Sequence, residues 1–327
     1  MQVVEVFMIK KIFFMLLMCL FSDLYAESFS VFCIKGLYGL VNEERAIKLK
    51  AKYYKIEKNE ENYFICETAN SEYEFYSPKL ELLYKLPAGS SARKYSNSEY
   101  LVYYFDEIKN IHISKILNIE TRKLSEYKKY ENFVREPFFW GENLAVVIKG
   151  SSYPSFSVID RNENTVISNL KQAGFCFTEG LLPVILKNGQ SGYINKKGKM
   201  VISVPLYEDI RMGGPKISPI LNYYFSDGVA VFQKEKDKWC LIDRKANIKE
   251  LPENYILKTR LYSKGLAVIE DTNSKYGYLN KNAKIAIPCI FDSASNFIGE
   301  YAAVAFQGKD AIIDTKGNIF YSEDLKE

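Results

Sequence analysis

A chain of 327 residues, 47% apolar and 26% charged, is too apolar to stay disordered and long enough for several domains or one repeat array. Its 44 basic and 40 acidic residues leave a net charge of only +4 over a large surface, which excludes a nucleic-acid footprint. A single histidine, His112, leaves too few ligands for a zinc site and no alternative member for a Ser-His-Asp triad.

In chain order, Lys10 and Lys11 precede an uncharged apolar run from Ile12 to Phe21, and Leu24-Tyr25-Ala26 ends on a small residue. That is the pattern of a secretory signal peptide, residues 1–26, cleaved after Ala26. The apolar run is about half of the roughly twenty residues that span a bilayer, so retention as an anchor is the less favoured alternative. Met18 stands where a lipobox would place a small residue before Cys19. Export to the periplasm, cell envelope or medium is therefore expected, with no stable transmembrane span after cleavage. Removing two lysines and two acids with this segment leaves the net charge at +4.

Residues 27–327 would keep Cys33, Cys66, Cys176, Cys240 and Cys289, an odd number with no Cys-x-x-Cys pair. They lie in apolar runs, where cysteine behaves as a small hydrophobe, so free buried thiols are expected rather than a disulfide framework.

The same chain segment is self-similar. A strand closed by a polar residue recurs as Tyr38-Gly39-Leu40-Val41-Asn42, Phe156 to Asp160, Ser191-Gly192-Tyr193-Ile194-Asn195, Trp239 to Asp243, Tyr276-Gly277-Tyr278-Leu279-Asn280 and Asp310 to Asp314. Weaker copies end at Ser77 and Asn118. The closing residues at 42, 77, 118, 160, 195, 243, 280 and 314 recur every 34 to 48 positions, the length of one supersecondary unit. A small apolar strand introduced by an aromatic, a polar pair and glycine precedes the hairpin, as in Phe225-Ser226-Asp227-Gly228-Val229-Ala230-Val231 and Tyr262-Ser263-Lys264-Gly265-Leu266-Ala267-Val268. In the first part of the chain only the strand survives, as Phe29 to Ile34, Tyr63 to Cys66 and Tyr100 to Tyr104.

Turn chemistry agrees with this reading. Asp or Asn at the first position of a type I turn accepts a backbone N–H, and glycine suits the fourth. Asn195 with Gly198 and Asp314 with Gly317 meet both preferences. Asp243, Asn280, Asn42 and Asp160 meet only the first, so looser turns are expected there, with Asn164, Asn247 or Asn282 as the left-handed residue.

Tyr276 to Lys284, followed by Ile287-Pro288 and Phe291-Asp292 and preceded by Gly265-Leu266-Ala267-Val268, resembles the bacterial WG repeat, also called the KWG repeat. The likeness is good over 139–320 and degenerate over 27–138. Trp-Gly is never intact here: Trp239 is followed by Cys240, and Gly39, Gly192 and Gly277 follow tyrosine or serine. The resemblance implies an all-β repeat protein and carries over no catalytic residue.

The expected architecture is all-β, about eight three-stranded units closed as a β-propeller, with an open β-solenoid as the alternative. In the closed form the strand from Phe29 to Ile34 would complete the last unit. Two Gly/Pro-rich interruptions, Pro87 to Asn97 and Met212 to Asn222, read as surface loops.

No catalytic, cofactor or metal set emerges. Gly213-Gly214 is not a phosphate loop. Glu179, Asp227 and Glu300 stand beside the repeat glycines, and a residue recurring once per unit serves the unit rather than a reaction; paired carboxylates of a glycan hydrolase, with Glu142 as a nonrepeated candidate, are the alternative. The aromatic groups Tyr53-Tyr54, Tyr103-Tyr104, Tyr223-Tyr224 and Phe138-Phe139-Trp140 offer surfaces for sugar rings or protein hot spots, with Tyr223, Tyr224, Phe139 and Trp140 as the candidate binding surface. The functional expectation is an exported non-enzymatic scaffold that binds an envelope protein or glycan, with no cofactor.

Overall fold

The computed structural model describes residues 27–106, 108–128, 139, 143–149, 155–206, 223–235 and 238–326. The signal-peptide reading of 1–26, the loop 212–222, Trp140 and Glu142 lie outside them. The described residues form six antiparallel sheets arranged in a ring, a β-propeller, with a single 3-10 turn at Ser322–Asp324 and no α-helix among them.

Six sheets replace the eight separate three-stranded units expected, for two reasons. Four sheets have four strands, because a short strand precedes the apolar one, such as Phe225–Ser226 ahead of Val229–Glu235 or Ser293–Ala294 ahead of Ala302–Phe306. The other two have six strands, because Ile47–Lys58 and Thr165–Ala173 run through without a break. The first half of each long strand pairs with the hairpin before it and the second half with the strand after it, with register shifts near Tyr53 and Leu170 where it changes partner. Eight anchored hairpins remain, but two of their boundaries are bridged by hydrogen bonds. The interruption Pro87 to Asn97 also holds the strand Ser91–Lys94, paired with Glu99–Asp106.

Burial explains the apolar strands. Val229 to Gln233 is buried at every position. Successive side chains point to opposite faces of a strand. Ala230 and Phe232 accordingly pack with Tyr193 and Ile202 of the preceding sheet, whereas Val229 and Val231 pack with Tyr262 and Ala267 at the following one. Each sheet is thus covered on both faces, which is why the strands read as continuous apolar runs rather than alternating ones.

The turns close as anchored hairpins, with one correction. Asp243 Oδ1 accepts the N–H groups of Lys245 at 2.8 Å and Asn247 at 2.9 Å, and its Oδ2 accepts the Asn247 amide at 2.8 Å. Asp160 with Asn164 and Asp314 with Asn318 repeat this, and Asn195 and Asn280 make the two backbone contacts. The left-handed residues are Glu163, Ala246 and Ala283, not Asn164, Asn247 or Asn282. At the Asp turns the asparagine amide is drawn to the anchor's carboxylate and the residue before it takes the positive φ. The turns without glycine are as tight as those of Gly198 and Gly317, with closing bonds of 3.0–3.1 Å against 2.9 Å.

The glycine of the repeat is a close-approach residue. A Cβ at Gly192 would lie 2.0 Å from the Ile202 carbonyl oxygen, one at Gly277 2.6 Å from that of Ile287, and one at Gly39 2.4 Å from that of Leu49. Where Glu74, Cys240 and Ala311 replace it, they pair with Lys85, Glu250 and Tyr321 in a ladder without a shift at those positions. Gly192→Ala and Gly277→Ala should each lower stability by about 2–4 kcal/mol in urea unfolding, against about 1 kcal/mol for Gly36→Ala, where φ is +79° but the space is open.

The ring closes by packing rather than by the shared sheet expected. Ser30–Ile34 pairs with Leu37–Val41, and Ile319–Tyr321 pairs with Lys309–Ile313 in its own sheet. The two ends meet face to face, with Phe32 and Val41 against Tyr301, Ile312 and Leu325. Lys326 forms a parallel bridge with Ala46, accepting from Ile47 N–H at 2.7 Å and donating to the Arg45 carbonyl at 3.1 Å.

Candidate functional site

The aromatic residues singled out as a binding surface are mostly interior. Phe139 and Tyr223 are fully buried, Phe139 against Tyr95 and Tyr223 against Phe232 and Trp239. Tyr224 is half-buried and its hydroxyl accepts the Phe175 N–H at 3.0 Å. The Phe139 and Tyr223 rings therefore fill core space rather than line a surface. Tyr54, in contrast, is exposed, and His112 lies exposed beside Phe105.

The turn residues Asn195, Gly198, Asp243, Asn280, Asp314 and Gly317 all sit at their hairpin turns. The recurrent acids have a defined task between units. Glu179 accepts the Gly228 N–H of the next unit at 3.1 Å and the Arg244 guanidinium at 2.9 Å. Asp227 likewise accepts from Gly265 N–H and lies 3.4 Å from Lys281 Nζ. Arg161 reaches back to Glu99 at 2.6 Å in the same manner. At these three turns the basic residue after the anchor therefore clasps an acid of an earlier unit. Sequence reading saw the acids recur and missed this pairing, although Asp160-Arg161, Asp243-Arg244 and Asn280-Lys281 carry it.

Glu74 is the acidic residue among those that replace the repeat glycine. Glu74 stands where other units have glycine, and its side chain is only 6% exposed. Its Oε2 accepts from the Tyr53 hydroxyl at 2.5 Å, the Tyr76 hydroxyl at 2.7 Å and Lys52 Nζ at 3.0 Å, while Lys85 Nζ lies 3.4 Å from Oε1. Burial pushes this carboxyl up, but the three donors outweigh it and hold it down at about 2. The same burial and contacts raise both tyrosines well above the usual phenol range. A carboxylate so fully engaged is a structural anion.

Two concave sites are not absorbed by the repeat. The first, about 310 Å³, is a mouth lined by Lys58, Asn59, Asn62, Ser263, Lys264 and Gly299. These residues come from the second, seventh and eighth units. For residues two and more units apart to line one cavity they must face the middle of the ring. Lys58 is half-buried, with its Nζ 5.9 Å from the Phe64 ring centre; burial and then nearby Lys264 lower its pKa, partly offset by Glu300. Lys264 holds Glu300 at 2.5 Å. Lys58, which makes no ion pair among the described residues, is thus the ammonium group of this cavity that no carboxylate holds. The second concavity, about 340 Å³, lies beside Trp239 and Arg260.

All five cysteines from Cys33 onward are free thiols, with Cys66, Cys176 and Cys240 buried. Burial raises the Cys66 and Cys176 thiols, the latter to about 12, which keeps it protonated and inert. Among the described residues no cluster of His, Cys, Asp and Glu could hold a metal, and no helix is long and apolar enough to cross a membrane.

Compared with known proteins, residues 192–212 and 276–309 match the family model of the WG containing repeat. No curated protein matches the chain. Among solved structures it is similar to AztD from Citrobacter koseri, at 10% identity and a TM-score of 0.49, over 90% of this chain and 95% of that one. BamB from Moraxella catarrhalis gives 10% and 0.40, over 90% and 91%. The dihydro-heme d1 dehydrogenase NirN in complex with DHE gives 13% and 0.49, over 90% and 73%. At these identities the likeness carries over no residue role.

Proposed function

We propose that this propeller, whose clearest units match the WG containing repeat, is an exported, non-enzymatic binding scaffold of the bacterial cell envelope. It presents the mouth around Lys58 and Lys264 to an anionic group on an envelope protein or glycan. The observation that supports this reading is a division of labour among the polar residues. The recurrent acids and turn anchors are engaged in clasps and turns, whereas Lys58 is half-buried without an ion pair among the described residues and lines one cavity with Lys264, which stands where other units carry the acid. Export rests on the sequence of residues 1–26.

Retention of the purified chain on immobilised envelope extract tests the binding. Lys58→Glu should weaken retention about tenfold and remove much of its salt dependence, by reversing a charge at the mouth. Equal retention of the variant would remove the mouth from the proposal, and turnover of an envelope polysaccharide by the wild-type chain would overturn the non-enzymatic reading. Export predicts that the chain recovered from the extracytoplasmic fraction begins at Glu27, read by terminal sequencing.

A further inference from the structure

The cavity beside Trp239 lies between the sixth and seventh units, and three of its charged groups, Arg260, Glu250 and Glu253, make no ion pair among the described residues. Arg260 sits with its guanidinium carbon 4.4 Å from the centre of the Trp239 ring. Among the described residues no carboxylate lies within 4.0 Å of it and no acceptor takes a hydrogen bond from it, although the residue is half-buried. Arg161 and Arg244, which also lie over aromatic rings, are held by Glu99 and Glu179, whereas Arg45 lies over Phe320 without an ion pair among the described residues. A guanidinium presents five donors in a rigid fork that matches a carboxylate, and stacking on an indole holds that fork in one orientation.

The same cavity also carries acidic side chains. Glu250 and Glu253 line the same cavity and make no ion pair or hydrogen bond among the described residues; Lys238, beside them, is bound to Glu235 at 3.0 Å. Both acids nevertheless act on Lys238, raising its pKa after the larger effect of Glu235. Apolar side chains line it as well: Leu251, Pro252, Leu257 and Ile256, the last 64% exposed. A simple anion would meet Arg260 but also the two carboxylates, and a simple cation the reverse. A molecule carrying both charges around an apolar body satisfies all three surfaces at once.

We propose that this cavity binds a small zwitterion with an apolar body, of the amino-acid or dipeptide class, its carboxylate on Arg260 and its ammonium toward Glu250 and Glu253. Its volume of about 340 Å³ falls within the range of small-ligand pockets. Arg260 is the specificity-determining residue, because a carboxylate is the group its fork can hold in two parallel bonds. Trp239 is the platform that keeps the fork in place.

The chain has two tryptophans, so a Trp140→Phe background leaves Trp239 as the only indole and its emission as the reporter. Titration with leucyl-leucine should give a saturable change in that emission. Leucyl-leucinamide, which lacks the carboxylate, should bind at least tenfold more weakly, and N-acetyl-leucyl-leucine, which lacks the ammonium, several-fold more weakly. Arg260→Lys, which retains the charge without the fork, should weaken leucyl-leucine about tenfold, and Glu250→Gln with Glu253→Gln should abolish the difference between leucyl-leucine and its N-acetyl form. Absence of a saturable change with leucyl-leucine at 10 mM, on the order of the weakest physiological affinities, would overturn the proposal. Equal binding of the amide would overturn it as well, and that comparison needs no variant to fold. Loss of binding at this cavity leaves retention through Lys58 untouched, so the two readings fail separately.

Discussion

Deletion of residues 27–35 is expected to unfold the whole ring in one step rather than fray one edge. The Ser30 hydroxyl accepts the N–H groups of Glu300 at 2.8 Å and Tyr301 at 3.1 Å, tying the first unit to the last. A Cβ on Gly299 would meet the Phe29 carbonyl oxygen at 2.3 Å, so the two chain ends are already in close contact. Phe32 is fully buried among Val41, Tyr301, Ile312 and Leu325, and the Ser322 hydroxyl donates to the Cys33 carbonyl at 3.0 Å. Removing one aromatic from such a cluster costs about 3–5 kcal/mol, and the deletion removes Phe29, Val31 and Phe32 together. With the lost hydrogen bonds added, that is comparable with the whole margin by which an ordinary domain is stable, about 5–15 kcal/mol. Hydrogen exchange gives the decisive readout. In a closed ring, amides of Val229–Glu235 in the fourth sheet, half a ring away, and of Leu266–Asp271 in the fifth lose protection along with those near the deletion. Protection unchanged in those strands would mean that each sheet is stable on its neighbours alone, as in an open array. Phe32→Ala should lower the melting temperature as a single transition, with the same loss of distant protection in smaller measure.

How far this closure and its surroundings were legible in the sequence differs from feature to feature. Asn195, Asp243, Asn280 and Asp314 announce their turns because the anchor's side chain bonds the backbone two and four residues on, a local contact that short sequence patterns record. The left-handed position was misplaced onto Asn164 and Asn247 because their amides are drawn to the anchor carboxylate, which propensity does not describe. The unbroken strand Ile47–Lys58 carries no turn residue at Tyr53, where it changes partner, yet the eye divides it by analogy with the other units. Burial on both faces was the main omission. Tyr223 and Phe139 look like surface aromatics in a linear reading and fill the gaps between sheets in space. Arg260 and Trp239 are 21 positions apart, and nothing local marks one as the other's partner.

Glu74→Gly should be among the most destabilising single substitutions, although it restores the residue that other units carry. In Gly192 and Gly277 the facing carbonyl occupies the place of a Cβ, whereas Glu74 pairs with Lys85 in a regular ladder and its carboxylate is the centre of a buried polar group. Without it the Tyr53 and Tyr76 hydroxyls, 2.8 Å apart, keep only each other, and a cavity replaces the side chain. An unsatisfied hydroxyl and a lost charged acceptor each cost about 1–3 kcal/mol, so about 3–5 kcal/mol is expected by urea unfolding, against about 2 kcal/mol for Glu74→Gln, which keeps the shape and one acceptor. The same carboxylate makes stability depend on pH. Its folded value of about 2 lies below the ordinary 4.5, so its contribution is complete above that ordinary value and falls away as acid brings the pH down from about 4.5 toward 2. A depression of this size is worth about 3 kcal/mol at most, and Glu74→Gln should flatten the stability profile across that interval by a comparable amount. Parallel profiles for the wild-type chain and Glu74→Gln would show instead that burial, which opposes ionisation, cancels the two tyrosines and Lys52.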